Sequence, residues 1–219
     1  MRINKLIVFF FLFSFIFVSC NNETEDDTLQ NKSQATTEEF EAIEILFDDT
    51  KFDDPKAVEL LKEIHICSDT QLDADGNVLT PCSPDNFKFF PLKEGASIDD
   101  GFVLLIKATT GGVAVRRVLV FERENGVLVK TNGFIANLIG TKKNKGGNDD
   151  LLLRFIDKIE GSDYYYNCIF SWEDGKYVFK TVEVISQPSA NFNRRVKADV
   201  KDSVSKEINQ ILIDNQMIF

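Results

Sequence analysis

The chain has 219 residues, 43% of them hydrophobic, and a formal charge of -10 at pH 7. That apolar share supports a real core in one good-sized domain, or at most two small ones. The negative balance excludes nucleic acid as a natural partner, because its phosphates must be met by Lys and Arg, and makes the domain's own surface a poor match for anionic lipid.

The first predicted element is a leader. Arg2 and Lys5 precede a run of 13 residues, Leu6 to Val18, that includes Phe9, Phe10, Phe11, Phe13, Phe15 and Phe17. A helix crossing a bilayer needs about 20 apolar residues. The shorter run fits the apolar region of a secretory signal peptide. It closes on Phe17-Val18-Ser19-Cys20, and NNETEDD follows at once. This stretch resembles the lipobox of bacterial lipoproteins, with Phe17 standing where that pattern usually has Leu. The Phe-rich leader is similar to those of the Bacteroidetes. The resemblance implies that residues 1–19 are a signal peptide and that Cys20 becomes a lipidated N-terminus. A thiol is the natural nucleophile for the thioether, and each acyl CH₂ buried in the membrane is worth about 0.8 kcal/mol. The implied address is the outer membrane, on its periplasmic or its cell-surface face. The acidic run after Cys20 resembles a signal for the outer face; read plainly, it is a solvated linker.

The expected organisation is a lipidated polar tether over residues 20–35, as the resemblance implies, followed by a single domain over 36–219. The polar composition persists to residue 39, and nineteen extended residues reach about 60 Å at 3.3–3.6 Å each. Thr36 with Glu39 resembles a capping box. Phe40, Ile43 and Phe47 then share a helical face, which predicts an N-terminal helix. Asp54 and Pro55 predict a second helix over 54–65, with Ala57, Leu61 and Ile64 on one side. Cys67 and Cys82 bracket a turn-rich loop. A bridge between them would close a 16-residue ring and contribute roughly 3 kcal/mol. The alternative leaves Cys67, Cys82 and Cys168 all free, and Cys168 reads as a small buried hydrophobe.

From residue 86 the pattern becomes that of strands. Segments 102–109, 113–124 and 126–139 are β-branched and aromatic, and Asn125-Gly126 is a strong hairpin signal. A polar loop spans 141–150. Segments 151–157, 163–173 and 176–185 continue the pattern, the last two joined by Asp174-Gly175, and Pro188 ends it. Val196, Val200, Val204, Ile208 and Ile211 or Leu212 make the stripe of a C-terminal helix over 195–218. The predicted fold class is α+β: an antiparallel sheet of about six strands packed by N-terminal and C-terminal helices. A small β-barrel is the alternative.

The chemistry-bearing residues are sparse. His65 is the only histidine. With Cys67 it lacks the three or four ligands of a zinc site and the third group of a nucleophilic pair. LDADGN places Asp73, Asp75 and Gly76 as in part of a calcium loop. The ends fail, with Gln71 at position one and Cys82 at position twelve, where a bidentate Glu belongs. The acid pairs Asp48-Asp49, Asp53-Asp54, Asp99-Asp100 and Asp149-Asp150 read as solvated caps. No phosphate loop, nucleophile elbow, cofactor motif or metal set is present in the sequence.

The aromatic cluster around YYYNCIFSW is the binding candidate. Alternation sets Tyr164, Tyr166, Cys168, Phe170 and Trp172 opposite Tyr165, Asn167, Ile169 and Ser171. One set is core. Trp172, Tyr177 and Tyr165 are the residues that would stack on a sugar ring or anchor a protein if they reach an open face. The resulting expectation is a lipid-anchored, non-catalytic binding or accessory module, of the inhibitor or immunity type among others. Its partner would be an envelope protein, a basic effector or a glycan. The rival expectation is a hydrolase of envelope polymers working through acidic residues.

Overall fold

Tight turns set the strand pairing. Asn125-Gly126 has φ of 51° and 85°, and Asp174-Gly175 has φ of 50° and 79°. Two successive positive φ values match the type I′ turn, whose twist suits the strands it joins. Glu160-Gly161, with φ of 49° and 84°, makes a third such reversal that a Glu in first place does not announce. The computed structural model describes residues 40–72, 76, 78–107 and 117–219. These belong to one folded unit.

The first described strand, β1 (Glu41–Ala42), pairs antiparallel with Thr141 and Gly140. The helix expected through Phe40, Ile43 and Phe47 therefore does not form. Ile43, Ile45 and Phe47 turn to the core, while Glu44, Leu46 and Asp48 are exposed. That is a period of two, and the Ile43–Phe47 spacing of four fits both periods. The Thr36–Glu39 capping box lies outside the described residues.

The second helix is α1 (Ala57–Glu63), shorter than expected, with Asp54 Oδ1 accepting the Lys56 N–H at 2.9 Å before it. Strands β2 (Ser68–Leu72) and β3 (Val78–Thr80) form a small hairpin. A disulfide joins Cys67 to Cys82 at its base, with Cα atoms 5.3 Å apart.

A four-stranded antiparallel sheet follows in chain order: β4 (Phe87–Pro91), β5 (Gly101–Ile106), β6 (Arg117–Glu124) and β7 (Val127–Ile135). It is buried on both faces. Val103, Leu105, Val118 and Val120 enter the main core. Phe102, Leu104, Phe87 and Leu119 enter a second core closed by Leu60, Leu61 and Cys67. This is why FVLLI is an unbroken apolar run rather than an alternating one.

The segment 126–139, expected as one strand, breaks at Ala136. Beyond it β8 (Asn137–Lys142) joins the other sheet, with β9 (Asp150–Ile159), β10 (Ser162–Glu173), β11 (Lys176–Gln187) and β12 (Phe192–Arg195). The order is β1-β8-β9-β10-β11-β12, curled into a half-barrel. Its edge strands β1 and β12 do not pair, so the barrel alternative falls and the α+β class stands. The inner face supplies Leu153, Phe155, Tyr166, Cys168 and Phe170 to the main core.

The final helix, α2 (Lys201–Asp214), buries Ser205, Ile208 and Leu212. It starts later than expected, because Val196 N–H is taken by Glu183 O at 2.9 Å and Val200 is exposed. It ends earlier, because the last residues are strand-like. Gly133 and Phe219 exchange backbone hydrogen bonds of 2.6 and 2.8 Å, and Ile135 N–H donates to Met217 O at 2.9 Å. A side chain on Gly133 would overlap the Phe219 ring.

Replacing Cys67 and Cys82 by Ser should lower the unfolding free energy by about 3 kcal/mol. Denaturant unfolding with and without reductant checks it. An unchanged midpoint would show that the bridge contributes nothing.

Candidate functional site

Two loops and strand β7 converge on Tyr177. It is the second residue of β11, opposite Trp172, and its ring packs edge-on to that indole with centroids 5.0 Å apart. Its hydroxyl donates to Asp149 O at 2.8 Å. Its backbone N–H donates to Asn132 Oδ1 at 2.6 Å, and its C=O accepts from Asn132 Nδ2 at 3.0 Å. One buried amide on β7 thus stands in for a neighbouring strand, and satisfies two backbone groups that would otherwise be orphaned. Asp149 extends the chain of contacts. Its N–H donates to Leu92 O at 2.8 Å, and its Oδ2 accepts Glu94 N–H at 2.9 Å. Burial, then the charges of Asp149 and Asp150, push the Tyr177 hydroxyl well above its ordinary pKa.

This corrects the expectation for Tyr177. It is 3% exposed and is a joint between the sheets, not a binding residue. Trp172 is half-buried against the main core, with Gly147 of the neighbouring loop over it. The register explains both: Trp172 shares the inward face with Tyr166, Cys168 and Phe170.

The joint holds open a cleft of about 430 Å³ between the 91–94 and 142–149 loops. Glu41, Glu94, Lys142, Lys143 and Asp149 give it both signs of charge. Glu94 pairs with Lys143, which raises the pKa of that ammonium, and Asp149 is spent on the loops. Glu122 has its carboxyl shifted upward, first by burial and then by Glu124, but it stands on β6 and is not among the cleft's lining residues.

Tyr165 lies elsewhere, on the outer face of the six-stranded sheet. The register aligns Asn137, Arg154, Asn167, Val184 and Arg195 in one row across five strands. The next row is Ile156, Tyr165, Ser186 and Asn193. Residues paired directly opposite point to the same face. Arg154 Nε donates to Asn167 Oδ1 at 2.9 Å, and its guanidinium sits 5.9 Å from the Tyr165 ring centroid. Asn137 Oδ1 is a buried acceptor without a partner among the described residues.

The other candidates separate. His65 is exposed at the end of α1 in a left-handed conformation, φ 55°, and its N–H donates to Lys62 O. It is not in a strand with Cys67, whose sulfur is bonded to Cys82. Asp73 and Asp75 lie outside the described residues, as does Cys20. Asp49 pairs with Lys88 and Asp99 with Lys56. Among the described residues no cluster of three or more His, Cys, Asp or Glu is placed to hold a metal. Arg154 escaped the sequence reading because an Arg within a strand reads as a solvated residue until its cross-strand neighbours are known. No family model, curated protein or solved structure matches the chain.

Asn132→Ala should cost about 2–6 kcal/mol, since it orphans two buried backbone groups at about 1–3 kcal/mol each. Tyr177→Phe should cost about 1 kcal/mol for one lost hydrogen bond. Urea unfolding measures both. An Asn132→Ala variant as stable as the parent would refute the joint.

Proposed function

We propose that the chain is a lipid-anchored protein of the bacterial cell envelope whose folded unit is a non-catalytic binding module. The leader and Cys20 support the anchor, and the polar run after Cys20 supports a tether that lets the domain stand off the membrane. The outer membrane is the proposed site, with the domain on its periplasmic or surface side.

The observation that carries the binding reading is the outer face of the half-barrel. Leu152, Ile156, Tyr165, Ile169, Val178 and Val184 lie in this sheet, yet none belongs to either core. The face mixes apolar, amide, aromatic and guanidinium groups over five strands. Such a surface is built to be covered. It favours a glycan over a basic effector, because the charged groups in its central row, Arg154 and Arg195, are cationic. Two of the three acids lining the 430 Å³ cleft, Glu94 and Asp149, are held in an ion pair and a loop contact, which fits a supporting role better than hydrolysis.

In bacteria carrying the lipoprotein pathway, the parent should take up labelled palmitate and enter the detergent phase on phase separation. Cys20→Ala should do neither and should remain aqueous. An unlabelled, aqueous parent would overturn the anchor.

A further inference from the structure

We propose that Arg154 anchors a carboxylate-binding subsite on the outer sheet face, and that its ligand is an acidic saccharide of the uronic acid kind. The inference rests on reading that face as the binding surface.

The argument starts from the pairing of charges. The chain has 35 acids against 25 basic residues, so an arginine finds an acid easily. Arg123 does so, with both Nη atoms on Glu63 at 2.8 and 3.0 Å. Arg154 does not. Its one hydrogen bond among the described residues is from Nε to Asn167, and no described carboxylate pairs with it. The acid that follows it on β9 is Asp157, three residues on and therefore on the other face of the strand. Its Oδ1 accepts from Asn215 after α2. On the outer face Asp163 stands opposite Lys158, two rows away.

The guanidinium is therefore held and unneutralised. Asn167 fixes Nε, and the Tyr165 ring lies beside the group at 5.9 Å. That leaves the Nη edge as a planar fork, whose geometry matches a carboxylate bidentately. A half-buried site strengthens the contact relative to free solution.

The neighbours select a sugar. Tyr165 is half-buried and offers an aromatic surface with a hydroxyl at its tip, which suits the C–H face of a pyranose. Asn137 faces Arg154 across the strand pair, its Oδ1 buried and without a partner among the described residues. Ser186 and Asn193 continue the Tyr165 row. Amides and hydroxyls around one cation supply partners for ring hydroxyls at fixed strand spacing. A protein partner would ask instead for a desolvated apolar centre. Arg195 closes the Arg154 row, three strands from Arg154 and roughly 14 Å away at about 4.8 Å per strand. A chain bearing repeated carboxylates meets both arginines of the row.

The test uses the full-length protein in detergent micelles. Calorimetric titration with an oligogalacturonate is compared with its methyl ester, which keeps the rings and removes the charge. The acid form should bind, weakening with salt, and the ester should bind at least about tenfold less tightly. Arg154→Gln should lose about tenfold or more for the acid form alone, and Arg154→Lys should recover part of it. Thermal unfolding of each variant confirms that the fold is kept. Equal binding of acid and ester, or full binding by Arg154→Gln, would overturn the carboxylate subsite and leave a sugar-binding face. No binding of either form overturns the saccharide assignment. A photo-crosslinker at Ile169 in cells then decides the wider reading: a crosslinked envelope component keeps the face as a binding surface, and none removes that too.

Discussion

The fold depends on one side chain taking the place of a strand. Asn132 bonds both backbone groups of Tyr177, and by doing so it joins a sheet that ends at β7 to a sheet that begins again at β8. Neither sheet is self-sufficient. The four-stranded sheet is apolar on both faces, so one face needs the half-barrel and the other needs α1 and the disulfide hairpin. The joint fixes how the first of those contacts is made. It also holds the Tyr177 hydroxyl against the 142–149 loop, which in turn holds the 91–94 loop through Asp149. A buried amide in such a place is costly unless both its ends are used, and here both are.

The parts of this fold that were legible in the sequence are those decided locally. Asn125-Gly126 and Asp174-Gly175 announce their hairpins because few residues tolerate the left-handed backbone those turns need. The strand from 163 to 173 shows its faces through alternation. What failed was set by distant partners. The Ile43–Phe47 spacing satisfies a helix and a strand equally, and the choice falls to pairing with β8, a hundred residues on. The break at Ala136 has no glycine or proline to mark it, because β7 and β8 are divided by which sheet they complete. The C-terminal residues look like the end of a helix until Gly133 is seen to leave room for Phe219.

The candidate site followed the same rule. The aromatic cluster was visible as a cluster, but register alone sorts it. Tyr177 and Trp172 belong to the joint, and Tyr165 to the outer face. Arg154 carries the proposed ligand contact and had no sequence signal. Its meaning comes from what stands beside it on the neighbouring strand β10: an amide that fixes its Nε and a ring that flanks it. The division of labour is thus by face. The inner face of the half-barrel is closed by core, while the outer face keeps polar and apolar groups that the described fold does not use.

The most direct test of the account is hydrogen exchange at the backbone amide of Tyr177. In an edge position with no strand beside it, an N–H would exchange by local fraying. If Asn132 is the joint, the Tyr177 amide should be protected as strongly as those of Val120 and Phe155 and should exchange only with global unfolding. Fast exchange at Tyr177, with Val120 and Phe155 still protected, would show that the sheets are held together by core packing alone and that the Asn132 contact is incidental.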